Sequence, residues 1–168
     1  MSSAEHRAKA PASVRCAVLT VSDTRTEATD TAGRAITALL ADAGHTMADR
    51  AIVRDEPAVI ETTLRGWLGR DDVDAVITTG GTGISARDGT IEVVDRLLEK
   101  RLGGFGELFR MLSYQAIGPA AMLSRACAGL ASGHIVIALP GSEPAVRLAM
   151  EKLVVPELAH MVQQARTL

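Results

Sequence analysis

Hydrophobic and polar positions alternate along this chain in two rhythms. Val14 to Val21 ("VRCAVLTV") is a near-continuous apolar run rich in β-branched residues. That pattern predicts a strand buried on both faces, as in a parallel sheet. After the polar stretch Ser22 to Asp30, "TAGRAITALLADAG" sets Ile36, Leu39, Leu40 and Ala43 on one helical face, with Gly44 placed as the C-terminal cap. Thr46 to Val53 predicts a second strand. Ile60, Leu64, Trp67 and Leu68 then recur at helical spacing in "PAVIETTLRGWLGR", with Pro57 in the first turn. Val73 to Thr79 reads as a third strand, and "IEVVDRLLEK" as a short helix. Phe105, Leu108, Phe109 and Leu112 predict another helix, and "PAAMLSRACAGL" a further one opened by Pro119. His134 to Gly141 reads as a fourth strand. Ser142 to Ala165 reads as a long helix that Pro156 kinks or breaks.

Strands alternating with helices in this way imply right-handed crossovers and an α/β fold, a three-layer α/β/α sandwich around a mostly parallel sheet. Ligands of such sheets bind at the carboxyl ends of the strands. Those ends carry Ser22-Asp23, Arg54-Asp55, Gly80-Gly81-Thr82-Gly83 and Pro140-Gly141-Ser142, so four loops are expected to converge on one edge.

Composition narrows the function. The chain has 168 residues, 47% of them apolar, and a net charge of −2 with both signs interspersed. Residues 14–168 read as a single domain, and residues 1–13, which have no apolar centre, as a loose tail rather than a secretory signal. There is no basic stripe to attract a nucleic acid polymer or an anionic membrane. No apolar run approaches the roughly 20 residues of a membrane-spanning helix. The two cysteines, Cys16 and Cys127, show no zinc-type spacing and read as buried, reduced thiols. The expectation is a soluble, cytoplasmic protein.

The chemistry concentrates in "TTGGTGISARDGT", Thr78 to Thr90. Glycines there permit positive φ and close ligand approach. Successive amides in such a turn form an anion nest, and a following helix adds its own unpaired N–H groups. Thr78, Thr79, Thr82 and Ser85 supply hydroxyls, so the stretch suits phosphate. It is neither a Walker A loop nor a dinucleotide fingerprint. Structural readings compete. Ser85-x-x-Asp88 matches a helix capping box, and Asp55, just before Pro57, suits a helix cap.

Taken together, "TTGGTG", "RDGT" with Asp88, "GGFGELFRMLSY", "AAMLSRACAGL" and "ALPGS" resemble the MoaB/MogA family of molybdenum cofactor biosynthesis proteins, related to the G domain of gephyrin. The wording of "GFGELFRMLSY" and "IGPAAMLSRA" is similar to the MoaB branch. Two positions depart from the family's usual pattern. Thr90-Ile91-Glu92 stands where the MogA-type order is threonine, proline, glutamate, and Gly103-Gly104 replaces a proline-glycine pair.

The resemblance implies binding of molybdopterin, a pterin with a dithiolene and a terminal phosphate. It implies adenylylation of that pterin with magnesium-ATP, or, as the alternative, a non-catalytic pterin-binding or assembly protein. Asp55 and Asp88 match the family's two functional aspartates and would serve catalysis and Mg2+. Thr79, Gly80, Gly81, Thr82, Gly83, Ser85, Ser22, Asp23, Ser113, Pro140, Gly141 and Ser142 make up the expected substrate- and phosphate-binding set, with Arg87 or Arg125 as the cations expected near the phosphates. The resemblance also implies a homo-oligomer, a trimer or a hexamer.

Overall fold

The computed structural model describes residues 3–167. Its centre is one six-stranded sheet in the order β2-β1-β3-β6-β5-β4. Strands β1 (Arg15–Val21), β2 (Thr46–Val53), β3 (Ala75–Thr79) and β6 (His134–Leu139) run parallel. Strands β4 (Lys100–Arg101) and β5 (Cys127–Ala131) complete one edge in antiparallel pairing.

Side chains along each parallel strand alternate between two cores, as the pleat requires. Cys16, Val18, Ile77, Ile137 and Leu139 face α2 (Thr31–Asp42), α5 (Gly103–Ile117), α6 (Glu143–Ala149) and α7 (Val155–Arg166). Ala17, Leu19, Val21, Val76 and Val136 face α3 (Pro57–Leu68) and α4 (Thr90–Leu97). The expected three-layer sandwich is thus present. Ile36, Ile60, Leu64 and Phe109 are fully buried in it. Each such side chain contributes roughly 1.5–3 kcal/mol relative to exposure.

The structure differs from the sequence expectation at the tail, in the segment 119–130 and at Cys127. Part of the tail expected to be loose forms a short helix, α1 (Ser3–Ala8), whose Arg7 pairs with Glu157 of α7. "PAAMLSRACAGL" is not one helix. It is a 3₁₀ turn (Gly118–Leu123) followed by β5. Its small apolar residues fit either periodicity. The tertiary setting selects the strand, because Cys127–Ala131 pairs with β6 and β4, and β4 approaches so closely that a Cβ on Gly129 would lie 2.2 Å from the Lys100 carbonyl. The β5–β6 hairpin closes through Ser132 and Gly133, both at positive φ (48° and 78°), as a tight two-residue turn needs. The long final helix breaks as expected, at a π-helical turn, Met150–Val154, just ahead of Pro156. Proline lacks the N–H, and its ring crowds the carbonyl four residues back. Finally, Cys16 is buried, its thiol pushed up to about 12, whereas Cys127 is only half-buried.

One buried carboxylate ties the chain's end to the sheet. Asp74 accepts the Arg15 amide (2.8 Å), its Nε (3.0 Å) and Nη2 (2.7 Å), and the guanidinium of Arg166. Burial alone would raise its pKa, but the Arg15 side chain and amide and the Arg166 charge outweigh it and hold the carboxyl below its ordinary value. Its stabilising contribution is therefore full above the unfolded value of about 3.9 and is lost as pH falls through the lower folded value. In thermal unfolding across pH, Asp74→Asn is expected to melt below wild type from neutral pH down to about 4, with the gap closing in stronger acid.

Candidate functional site

The carboxyl ends of β1, β2, β3 and β6 are stitched to one another by backbone. The Ser22 amide donates to the Val53 carbonyl (2.9 Å) and the Gly80 amide to the Leu139 carbonyl (3.1 Å). The Thr79 hydroxyl donates to the Pro140 carbonyl (2.8 Å). The glycine loop needs its glycines for closeness as much as for φ. Gly80 (φ +91°) and Gly81 (φ +65°) are in the left-handed region. A Cβ on Gly81 would meet Thr90 Oγ1 at 2.3 Å and Asp55 Oδ2 at 2.8 Å. A Cβ on Gly83 would meet Asp88 Oδ2 at 2.6 Å. The loop therefore carries one aspartate against Gly81 and the other against Gly83.

The two aspartates sit in different environments. Asp55 is buried, 7% exposed, and its Oδ1 accepts the Gly89 amide at 3.2 Å. No other hydrogen bond reaches its carboxylate among the described residues. Burial raises its pKa and nearby Asp88 and Asp23 add to the effect, against the Gly89 amide. Asp88 Oδ2 accepts the Ser85 hydroxyl (2.6 Å) and the Ser85 amide (3.0 Å). The Ser85 hydroxyl is the main reason its carboxyl lies below the usual range. The Ser85–Asp88 pair is thus real but closes the loop upon itself. Helix α4 begins only at Thr90, with Gly89 at its cap position, so the capping-box reading of Asp88 does not hold.

The expected cations are engaged elsewhere. Arg87 grips Asp23 with two bonds, Nε to Oδ2 (3.0 Å) and Nη2 to Oδ1 (2.7 Å), while Asp23 Oδ1 also accepts the Asp55 amide (3.1 Å). Asp23 accordingly braces Asp55. Arg125 donates to the Thr82 and Gly83 carbonyls and pairs with Glu92.

Two clefts flank the Pro140-Gly141-Ser142 turn. One, about 210 Å³, is lined by Ser22, Arg25, Thr79, Gly80, Gly81 and Gly141 among others. The other, about 250 Å³ and more apolar, is lined by Ser113, Pro140, Ser142 and Leu148 among others. Ser113 reaches this edge from α5, where it is 4% exposed. Thr82 is buried beside the loop, and Ser85 is exposed at its tip. Every residue of the expected set therefore lies in or beside the strand ends. Larger hollows elsewhere, about 300 Å³ at the far ends of α3 and α4 and about 370 Å³ along α7, contain none of them.

Three groups at this edge were not foreseen. Arg25 lines the first cleft, its Nη1 donating to the Thr29 carbonyl (3.0 Å), with no carboxylate partner among the described residues. Asp30, 1% exposed, lines the same cleft and accepts Thr20 Oγ1 (2.7 Å), the Gly33 amide (2.9 Å) and Arg50 Nη2 (2.8 Å). The Thr90 hydroxyl donates to the Gly80 carbonyl (2.9 Å). An aspartate directly before the helix-forming "TAGRA" was a legible N-cap signal for Asp30. Nothing local marks the other two.

A mostly parallel α/β/α sheet that gathers a glycine loop, two aspartates packed against that loop and a cleft at its strand carboxyl ends has the layout of the α/β domains whose ligands bind at that edge. The chain belongs to the family described as "Probable molybdopterin binding domain", whose pattern matches residues 17–160. It is 52% identical over 162 residues to molybdenum cofactor biosynthesis protein B of Bacillus anthracis, covering 96% of each chain. The crystal structure of a molybdenum cofactor biosynthesis protein B, 49% identical, superimposes with a TM-score of 0.90 over 94% of this chain and 98% of that one. The tungsten cofactor synthesizing protein MoaB from Pyrococcus furiosus, 36% identical, gives 0.85 over 94% and 100%.

Proposed function

We propose that this protein acts in molybdenum cofactor biosynthesis, binding molybdopterin at the glycine-loop edge and adenylylating it with magnesium-ATP. The relatives' names support the pathway, and the family description supports the pterin. The observation that carries the catalytic part is the placement of Asp55 against Gly81 and Asp88 against Gly83. An oxygen of the pterin's terminal phosphate attacks the α-phosphorus of ATP. A new P–O bond forms while the bond to the bridging oxygen breaks, and pyrophosphate leaves with that oxygen.

Such a transfer asks little covalent chemistry of the protein and much positioning. The loop amides, Thr82 and Ser22 would hold phosphate oxygens, whereas the Thr79 hydroxyl is already given to the Pro140 carbonyl. Arg25 would bring positive charge to the cleft, where Asp30 is already paired with Arg50. The donor set suits magnesium, which takes one or two carboxylates and completes its shell with phosphate oxygens and water. Among the described residues no three His, Cys, Asp or Glu converge on one point, so the ion would arrive with the nucleotide. Asp55, buried and only singly hydrogen-bonded, and Asp88 would hold it, and its charge offsets that of the phosphates.

The protein is also proposed to self-associate. Leu108, Met111, Tyr114, Ile117, Met122 and Leu123 are 47–76% exposed along α5 and the 3₁₀ turn. Sedimentation that finds monomer only would remove this part. No helix among the described residues is long and apolar enough to cross a membrane.

The test of the reaction is incubation of the protein with molybdopterin, ATP and Mg2+, with separation of adenylylated pterin and pyrophosphate. Equal amounts of both products are expected. Tight pterin binding without product would instead establish the non-catalytic carrier. Absence of binding to either substrate would dispose of both readings.

A further inference from the structure

We propose that Arg125 is a positioning residue for the glycine loop, aiming the amides of Gly83 and Ile84 toward the ligand side. This rests on the phosphate-binding reading of that loop. Arg125 lies 43 residues from Thr82 in sequence, in the connector between the 3₁₀ turn and β5. Its Nε donates to the Thr82 carbonyl at 2.8 Å and its Nη2 to the Gly83 carbonyl at 2.7 Å. Its remaining edge is held by Glu92, in the first turn of α4, through both guanidinium nitrogens. One planar fork thus fastens two consecutive carbonyls and is itself locked to the helix that follows the loop.

Peptide planarity gives this grip its consequence. In a trans peptide the C=O and the next residue's N–H point in opposite directions. Turning the Thr82 carbonyl toward Arg125 turns the Gly83 amide away from it, and turning the Gly83 carbonyl does the same to the Ile84 amide. Asp88, the carboxylate that packs against Gly83, lies beside this stretch of backbone. Two adjacent amides facing one side form an anion nest. A glycine-rich backbone has no steric preference of its own to keep them there. Arg125 supplies that preference without touching the ligand. Lysine cannot replace it, because a single ammonium on a flexible stem lacks the fork that spans both carbonyls and the carboxylate.

The experiment compares wild type with Arg125→Lys, Arg125→Ala and Glu92→Gln by three measurements. These are backbone 15N order parameters at Gly83 and Ile84 by NMR, affinity for inorganic tripolyphosphate with Mg2+ by calorimetry, and thermal unfolding. The order parameters at Gly83 and Ile84 are expected to fall from the rigid range, about 0.85, toward about 0.6 in both Arg125 variants, and less in Glu92→Gln. The order parameter at Ile77 in β3 should stay unchanged. Tripolyphosphate affinity should fall at least tenfold in Arg125→Lys, with an unfolding midpoint within a few degrees of wild type.

Wild-type order parameters at the two amides, or lowered ones with wild-type affinity, overturn the proposal. So does a uniform loosening of the whole backbone in step with the midpoint, which would make Arg125 merely a structural ion pair. If Arg125→Ala does not fold, the lysine and Glu92 variants carry the decision. Wild-type protein that binds neither tripolyphosphate nor magnesium-ATP would remove the phosphate reading itself, and the relaxation data would still report whether Arg125 orders the loop.

Discussion

Asp55→Asn is expected to lower adenylyl transfer to molybdopterin by about 10³-fold while leaving the protein at least as stable as wild type at neutral pH. The fold should survive because the asparagine Oδ1 can still accept the Gly89 amide, the one hydrogen bond made by the carboxylate. What disappears is the negative charge beside Gly81. A cation's charge stabilisation at a phosphoryl centre is worth several kcal/mol, and about 4 kcal/mol corresponds to three powers of ten in rate.

The stability half of the expectation follows from the sign of the pKa shift. Burial, and then Asp88 and Asp23, raise the folded pKa of Asp55. Its ionisation therefore costs stability. That cost is absent below the unfolded value of about 3.9 and grows to its full size as pH rises through the folded value. Asparagine removes the cost, so any advantage of the variant should be present at pH 7 and gone near pH 3. Asp55→Ala separates the two effects. It loses the charge and also leaves the Gly89 amide without its acceptor, at a cost of about 1–3 kcal/mol. Both variants should be inactive and only the alanine less stable. Steady-state rates and thermal unfolding across pH are the measurements. A fully active Asp55→Asn protein would end the catalytic assignment.

Gly80→Ala should be the most damaging single methyl group at this site. Gly80 has φ +91°, and a Cβ there would sit 2.2 Å from the Val21 carbonyl oxygen. That oxygen belongs to backbone, on a strand paired to both neighbours, so no side chain can swing aside. Left-handed strain costs about 1–2 kcal/mol for a residue with a Cβ, and the clash adds a shift of β1 against β3. A total loss of about 3 kcal/mol or more is expected. In a domain of this size that lowers the unfolding midpoint by roughly 6–12 °C.

Gly133 is the control. It also has positive φ (+78°), but a Cβ at this position would meet nothing within 4 Å. Gly133→Ala should show the strain alone, about 1 kcal/mol or roughly 2–4 °C. Calorimetric scans of the two variants decide the matter. A Gly80→Ala midpoint no lower than that of Gly133→Ala would mean the strand ends are looser than described.

Much of the architecture was legible because its causes are local. β-branched runs at Val14–Val21 and His134–Leu139 can only be satisfied in a sheet covered on both faces. The 3.6-residue spacing of Ile60, Leu64, Trp67 and Leu68 can only be satisfied by a helix lying on that sheet. The segment 119–130 was misread because alanine, glycine and cysteine fit both periods. There the decision came from β6 and the Ser132-Gly133 turn, which drew Cys127–Ala131 into antiparallel pairing.

By itself the sequence determined the four parallel strands and most of the helices between them, the glycine loop at a strand end, and the residue types gathered there, since turn chemistry and burial periodicity act over a few neighbours. Only the tertiary structure decided partners. It set Asp55 against Gly81, tied Arg87 to Asp23, turned Arg125 onto the loop's carbonyls and left Arg25 facing the cleft. Those pairings join residues brought together by the strand order β2-β1-β3-β6. Guanidinium and carboxylate groups carry no local mark of which partner such an order will bring within reach.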